Sequence, residues 1–168
     1  KNNTDNILAS YQRNVIIRTT NGGSTWSEAT TGMTDAGFNN AEAPFATKLA
    51  NSKNNLYNTA FAVSTSGVWR SSNFGSRWSL VALSTGWSGS FDIAVSDVNP
   101  AIVWAGGGMS DTQNLFLSKD DGKTFSSVNG FAELPNLGNI TAVIPDPVNE
   151  ETAYALFSQS EQPKILKT

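Results

Sequence analysis

The sequence predicts an all-β protein in which an antiparallel unit of four strands repeats about three to four times along 168 residues. The first observation is a motif, Ser/Thr-x-Asp/Asn-x-Gly-x-Thr/Arg-Trp/Phe, that begins at residues 19, 71 and 118. Its copies lie 52 and 47 residues apart, which is the period of a supersecondary repeat. The second observation is that short apolar runs recur in register with the motif, as expected of strands. We call the copies box 1 (19–26), box 2 (71–78) and box 3 (118–125).

The residue types of each box indicate the turn of a β-hairpin. The third residue, Asn or Asp, is expected to accept hydrogen bonds from backbone N–H groups two residues on, as in an Asx turn. The Gly at the fifth position permits positive φ. The aromatic residue at the eighth position is expected to start the return strand and to anchor it in the core. The residues assigned this structural role are Thr19, Asn21, Gly23, Trp26, Ser71, Asn73, Gly75, Trp78, Ser118, Asp120, Gly122 and Phe125.

The three boxes resemble the Asp-box, or BNR, repeat of β-propellers such as sialidases, oligoxyloglucan hydrolases, sortilin-type receptors and photosystem-assembly factors. Boxes 1 and 2 depart from that pattern by carrying Asn for Asp, and box 2 also has Arg77 where Thr or Ser is usual. The resemblance spans the whole chain. It implies a β-propeller segment of about three to four four-stranded antiparallel blades, each with one Asp-box hairpin on the face away from the ligand site.

The predicted blades follow from where apolar runs, turns and boxes alternate, and they cover approximately residues 1–30, 44–83, 90–129 and, incompletely, 139–168. Blade one begins inside its sheet, with strands expected at 7–10, 15–19 and 26–29. Blade two is expected to have strands at 45–50, 56–63, 68–70 and 78–83. Blade three repeats them at 91–95, 102–105, 115–117 and 125–128. Blade four has strands expected at 140–144 and 152–157, and Lys164 to Thr168 match the lead-in and first residue of a fourth box.

Composition disfavours or excludes several classes of function. The net charge is −3, from 11 basic and 14 acidic residues without a basic cluster, which disfavours a nucleic-acid partner. Cysteine and histidine are both absent, so disulfides, thiolate or imidazole metal sites and His-dependent catalytic arrangements are not available in this sequence. We therefore expect neither a metal nor a cofactor. No apolar run approaches the roughly 20 residues of a membrane span.

Sparse charge together with abundant Asn, Ser, Thr and Gly is typical of secreted or cell-surface β proteins, and we expect an extracellular location. The sequence opens at Lys1 without methionine and ends at Thr168, both inside predicted blades. Because propellers close with about four to eight blades, three full blades leave open edges. Residues 1–168 are therefore expected to be one partial propeller domain of a longer chain, with its own missing blades or other subunits as partners.

Candidate ligand residues fall on the blade-to-blade connections and on the turns between second and third strands. They are Arg13, Asp35, Glu42, Trp87, Met109, Asp111, Glu133 and Glu161. Trp87, near Gly86 and Gly89, is either a stacking platform for a sugar ring or a packing residue against the neighbouring blade. Asp35, Asp111 and Glu133 are the candidates for a catalytic carboxylate, but we favour the interpretation of each as a solvated loop residue.

Two functions remain open. The favoured one is a binding or structural module for protein or glycan ligands, because the sequence lacks His, Cys and any paired-acid motif. The alternative is part of a glycoside hydrolase of the oligoxyloglucan-hydrolase kind, which needs two carboxylates about 5 to 9.5 Å apart across a cleft. A sialidase fits less well, because Arg18 and Arg70 directly precede boxes and Arg77 lies inside one, so these arginines read as structural.

Overall fold

The computed structural model describes residues 5–11, 15–33, 48–52, 58–64, 67–83, 92–107, 115–128, 137–158 and 165–168. These residues form fourteen strands in four antiparallel sheets and contain no helix, so none of them forms a helix that could cross a membrane. The predicted fold class, an all-β propeller segment of about three to four antiparallel blades, is confirmed, and the described residues form four sheets of three or four strands.

Within each sheet, strands that are consecutive in sequence are hydrogen-bonded neighbours. Blade one contains β1 (Ile7–Tyr11), β2 (Val15–Thr19) and β3 (Ser27–Glu28). Blade two contains β4 (Lys48–Asn51), β5 (Ala60–Ser64), β6 (Gly67–Ser71) and β7 (Ser79–Leu83). Blade three contains β8 (Asp92–Val95), β9 (Val103–Gly106), β10 (Leu115–Ser118) and β11 (Ser126–Ser127). Blade four contains β12 (Ile140–Pro145), β13 (Ala153–Phe157) and β14 (Ile165–Lys167).

The first residue of every box has the same place in its blade. Thr19 pairs with Ile7, Ser71 with Ala60 and Ser118 with Val103, each at the start of a second strand. In blade four, the Thr168 N–H donates to the Ala153 carbonyl at 2.9 Å, and the Ala153 N–H donates to Thr168 Oγ1 at 2.9 Å. Thr168 therefore occupies the place of a first box residue, and the equivalent positions of all four blades can be compared directly.

The hydrophobic core lies between adjacent blades, as three clusters of buried side chains. The cluster between blades one and two holds the indoles of Trp69 and Trp78, which are 0% and 1% exposed. Phe61 lies in the cluster between blades two and three, and Trp104 in the cluster between blades three and four. Both faces of a middle blade are therefore covered, which explains why β5 and β9 are buried along their whole length.

The box aromatic residues differ in burial, and none of them starts its outer strand. Both findings correct the sequence-based expectation. Each lies one residue before its outer strand instead of starting it, because strands β3, β7 and β11 begin at the following serine. Trp78 is buried, and its backbone N–H donates to the Thr31 carbonyl, just beyond the outer strand of blade one, at 2.9 Å. Phe125 is half-buried. Trp26 is 43% exposed, because none of the described residues forms a blade against that side of blade one.

Candidate functional site

The hydroxyl of the first box residue organises the turn in all three boxes. It donates to the side-chain oxygen of the third residue, at 2.8 Å in box 1, 2.9 Å in box 2 and 2.8 Å in box 3. It also accepts the backbone N–H groups of the third and fifth residues. Thr19, Ser71 and Ser118 are almost fully buried. The first position thus requires a small side chain that both donates and accepts.

The side chain of the third box residue accepts a hydrogen bond from further along the chain than it would in an Asx turn. Its oxygen accepts the N–H of the residue four positions on, at 3.0 Å for Thr25, 2.9 Å for Arg77 and 2.9 Å for Thr124. The predicted partner two residues on is therefore wrong. The physical reason is that the fourth and fifth residues both adopt positive φ, which turns the backbone back towards the third side chain.

Positive φ at the fourth position was not predicted. The fifth residue is glycine in every box, as expected, with φ of 91°, 74° and 71°. The fourth is glycine only in box 1, whereas Phe74 and Asp121 adopt φ of 52° and 63°. Aspartate tolerates this region better than most residues, but a bulky phenylalanine does so at a cost in strain. The residue types at the fourth position therefore do not reveal its positive φ.

Box 3 has a carboxylate where boxes 1 and 2 have an amide. Burial raises the pKa of Asp120, but hydrogen bonds from the Thr124 backbone and hydroxyl, the Ser118 hydroxyl and the Lys123 N–H outweigh it and lower the pKa to about 2. In box 1, Asn21 Oδ1 accepts the Thr25 N–H, and its Nδ2 donates to Thr25 Oγ1 at 2.9 Å. The amide thus completes the same turn without charge, which identifies the carboxylate as a structural acceptor.

An arginine directly before a box reaches the next box along the chain. Arg70 donates from Nε to the Asp121 carbonyl and from Nη2 to Asp121 Oδ2, both at 2.7 Å. Arg18 occupies the same position in blade one, where Nη1 lies 3.4 Å from the Phe74 carbonyl and also contacts Ser76 Oγ. Both arginines therefore link a third strand to the fourth residue of the following box, which supports their structural interpretation.

The box glycines provide a second contact between blades. A Cβ built on Gly75 would lie 2.8 Å from Leu8 Cδ2, and one built on Gly122 would overlap the ring of Phe61. Leu8 and Phe61 have equivalent registers, opposite Arg18 and Arg70 in their sheets. Glycine at the fifth position is therefore required twice, for its backbone conformation and for the close approach of the preceding blade.

Asp92 joins the innermost strands of three blades. Its Oδ1 lies 2.6 Å from Lys48 Nζ of β4, and its Oδ2 accepts the Val143 N–H of β12 at 2.7 Å. Oδ1 also accepts the N–H of Ile93 at 2.7 Å. The Asp92 side chain is 1% exposed, whereas that of Lys48 is 48% exposed. Sequence reasoning missed this residue, although a charge at the start of an apolar inner strand is a detectable signal.

Two cavities occupy equivalent places beside boxes 2 and 3. The larger, of about 310 Å³, is lined by Leu117, Lys119, Asp120, Thr124, Ser126, Ser127 and Val128. The smaller, of about 150 Å³, is lined by Arg70, Ser72, Asn73, Arg77, Ser79 and Val81. Their polar linings largely belong to the turns described above. Within the described ranges, no three His, Cys, Asp or Glu residues are grouped as a metal site.

The sequence-predicted ligand and catalytic candidates all lie outside the described residues. This applies to Arg13, Asp35, Glu42, Trp87, Met109, Asp111, Glu133 and Glu161. They remain predictions. The twelve residues assigned to the boxes are all described, and the structure places them in three equivalent turns on the same side as the turns between first and second strands. The Asp121 N–H, for example, donates to the Ala101 carbonyl of such a turn at 2.9 Å.

Comparison with known proteins supports the fold. No family model and no curated protein matches the sequence. Among solved structures, the chain is similar to an ancestral GH74 enzyme, with a TM-score of 0.70 and 18% identity over 99% of this chain and 21% of that one. A GH74 xyloglucanase from Xanthomonas campestris gives a TM-score of 0.63 and 16% identity over 96% and 27% of the two chains. YCF48 bound to D1 peptide gives 0.60 and 15% over 98% and 51%. The chain thus spans between about a fifth and a half of these structures.

Proposed function

We propose that this chain is part of an Asp-box β-propeller that is secreted or displayed at the cell surface and acts as a binding or structural module for protein or glycan ligands. The ligand face is the one opposite the boxes, which carries the blade-to-blade connections. Trp87 is the proposed contact for a glycan ligand. The rest of the propeller is proposed to come from other parts of the same polypeptide.

The observation that supports this proposal best is that charged side chains link the blades and complete turns. Arg70 and Asp121 join blades two and three, and Asp92 joins the inner strands of three blades. The pKa values of Asp120 and Asp146 are lowered, in both cases with backbone hydrogen bonds among the causes, whereas a general acid needs a raised pKa. These charges therefore serve the scaffold, and we expect ligand contacts in the connecting segments.

The similar structures are compatible with a protein ligand and with a glycan ligand. One is a propeller with a bound peptide and another is a xyloglucanase. At identities below 25%, these likenesses concern the fold, and function belongs to the residues of each site.

The proposal is tested with xyloglucan oligosaccharides and the polypeptide in its natural length. We expect no release of reducing ends, and retention on a xyloglucan column that is lost in Trp87→Ala. The matched control is Trp26→Phe, which changes an indole on the box side and should leave retention unchanged. Wild-type retention that survives in Trp87→Ala would contradict the assignment of Trp87. Absence of retention in the wild type would leave protein as the ligand class of the proposal.

The second candidate function is glycoside hydrolysis, which the GH74 likeness favours. It predicts turnover of xyloglucan by the wild type. The variants Asp35→Asn, Asp111→Asn and Glu133→Gln would each identify a catalytic carboxylate by a loss of turnover of at least about a hundredfold. Turnover of this kind would replace the binding-module proposal.

A further inference from the structure

The outer side of blade one is open and carries apolar residues beside one exposed charged residue, Glu28, which pairs with Ile17. We define the open face of blade one as Ile7, Ala9, Ile17, Gly23 and Trp26. Ile7 is 40% and Trp26 is 43% exposed, whereas Leu8 and Ile16 on the opposite side pack against blade two. Removal of apolar side chains from water is favourable, and a contiguous exposed apolar patch is typical of an interaction surface.

The equivalent positions on the other blades lie in blade junctions, where most are fully buried and Phe116 and Phe125 are half-buried. Counting back from the first residue of each box, Ile17 corresponds to Trp69, which is 0% exposed. By strand register, Ile7 corresponds to Ala60, Val103 and Ala153, which are all 0% exposed. Trp26 corresponds to Trp78, which is 1% exposed. The open face of blade one is thus the same surface that blades two and three bury against the blade before them.

The contacts that cover this surface at the junction of blades one and two are specific. Trp78 Nε1 donates to the Ala29 carbonyl, just beyond the outer strand of blade one, at 2.7 Å. Leu8 packs on Gly75, and Arg18 reaches the Phe74 carbonyl. At the next junction, the pairs Phe61 with Gly122 and Arg70 with Asp121 repeat the last two contacts. The interface between blades is therefore a set of repeated contacts.

We propose that the open face of blade one docks against a further blade of the same polypeptide. That blade supplies three groups in the places of Leu8, Arg18 and Ala29. An apolar side chain lies on Gly23, a guanidinium donates to the Gly22 carbonyl, and a backbone carbonyl beyond an outer strand accepts from Trp26 Nε1. The same polypeptide is the source, because the similar propellers are much longer single chains. This inference rests on the part of the proposed function that places the rest of the propeller in the same polypeptide, and it is independent of the ligand.

The test uses oxidative footprinting of tryptophan in the polypeptide of natural length, read by mass spectrometry of its peptides. Trp78 is the internal control, because its indole is covered within the described residues. We expect Trp26 to be protected to the same degree as Trp78 relative to the urea-unfolded protein, and the protection to be independent of protein concentration. Oxidation of Trp26 at the rate of the unfolded protein overturns the proposal.

A second copy of the chain is the competing occupant, and the same experiment excludes or identifies it. Protection of Trp26 that appears only at high protein concentration, together with a doubled native mass, assigns the face to a second copy and overturns the proposal. Trp26→Ala provides a second measurement. We expect it to lower the Tm of the natural polypeptide clearly, whereas Ser24→Ala, an exposed neighbour in the same box, should leave the Tm unchanged. An unchanged Tm in Trp26→Ala contradicts docking on this face.

Discussion

At the scale of single residues, the third box position shows how one turn accommodates two side chains. Asn21 and Asn73 accept through an amide oxygen, and Asp120 accepts through a carboxylate, yet each contacts the seventh box residue in the same way. The difference lies in charge. Because hydrogen bonds stabilise the charged form of Asp120, its contribution to stability depends on pH, whereas that of the two asparagines does not.

The expected result is a loss of stability in acid that is smaller in Asp120→Asn than in wild type. The pKa of Asp120 is lowered from 3.8 to about 2, so its contribution is present above pH 4 and is lost as the pH falls towards 2. Urea unfolding at several pH values measures this. At neutral pH, Asp120→Asn should be close to wild type because boxes 1 and 2 already use Asn, while Asp120→Ala should be destabilised at every pH. An acid slope that is the same in wild type and Asp120→Asn would contradict the assignment.

At the scale of the element, each box hairpin depends on the buried hydroxyl of its first residue. Ser71 donates to Asn73 Oδ1 and accepts the N–H groups of Asn73 and Gly75. Removal of this oxygen leaves the buried Gly75 N–H without an acceptor, which costs about 1 to 3 kcal/mol.

Ser71→Ala is therefore expected to lower the free energy of unfolding by about 2 kcal/mol. Ser71→Thr should retain most of the stability, because Thr19 performs the same role in box 1. The control is Ser72→Ala, since Ser72 is exposed. Denaturant unfolding of the three variants gives the comparison, and equal stability of Ser71→Ala and Ser72→Ala would show that the hydroxyl is not needed.

The hairpins and the order of strands were predictable from sequence, because both depend on residues close together in the chain. The register of the second strands followed from turns that recur with the boxes, such as the one in which Ser96 accepts the N–H groups of Val98 and Asn99. The positive φ of Phe74 was not predictable, because nothing in that residue type signals it. The link formed by Asp92 was missed because Lys48 and Val143 are distant in sequence and meet only when the blades pack.

In the molecule as a whole, neighbouring blades are connected near their inner strands and again on the box side. Near the inner strands, Asp92 contacts Lys48 and the Val143 N–H. Towards the box side, Arg18 and Arg70 contact the following box, and the box glycines receive apolar side chains of the preceding blade. The candidate ligand residues, which lie in the connecting segments, could be proposed only from family resemblance and not from the geometry of these junctions.

The inner link predicts a large effect of Asp92→Ala. This substitution leaves the buried Val143 N–H without its acceptor and Lys48 without its carboxylate, so we expect a loss of about 3 kcal/mol in the free energy of unfolding. Glu150→Ala, at an exposed position on blade four, serves as the control and should change stability by less than about 0.5 kcal/mol. Thermal and urea unfolding measure both variants, and similar values for the two would refute the role of Asp92.

The boxes hold neighbouring blades together, and the ion pair between Arg70 and Asp121 is the contact through which this can best be measured. Their side chains are only 15% and 13% exposed and meet at 2.7 Å. The measurement is a double-mutant cycle of Arg70→Ala and Asp121→Asn by urea unfolding, where Asn is chosen because it also tolerates positive φ. We predict a coupling free energy of about 1 to 2 kcal/mol. A coupling indistinguishable from zero would show that the box stabilises only its own turn and does not hold the blades together.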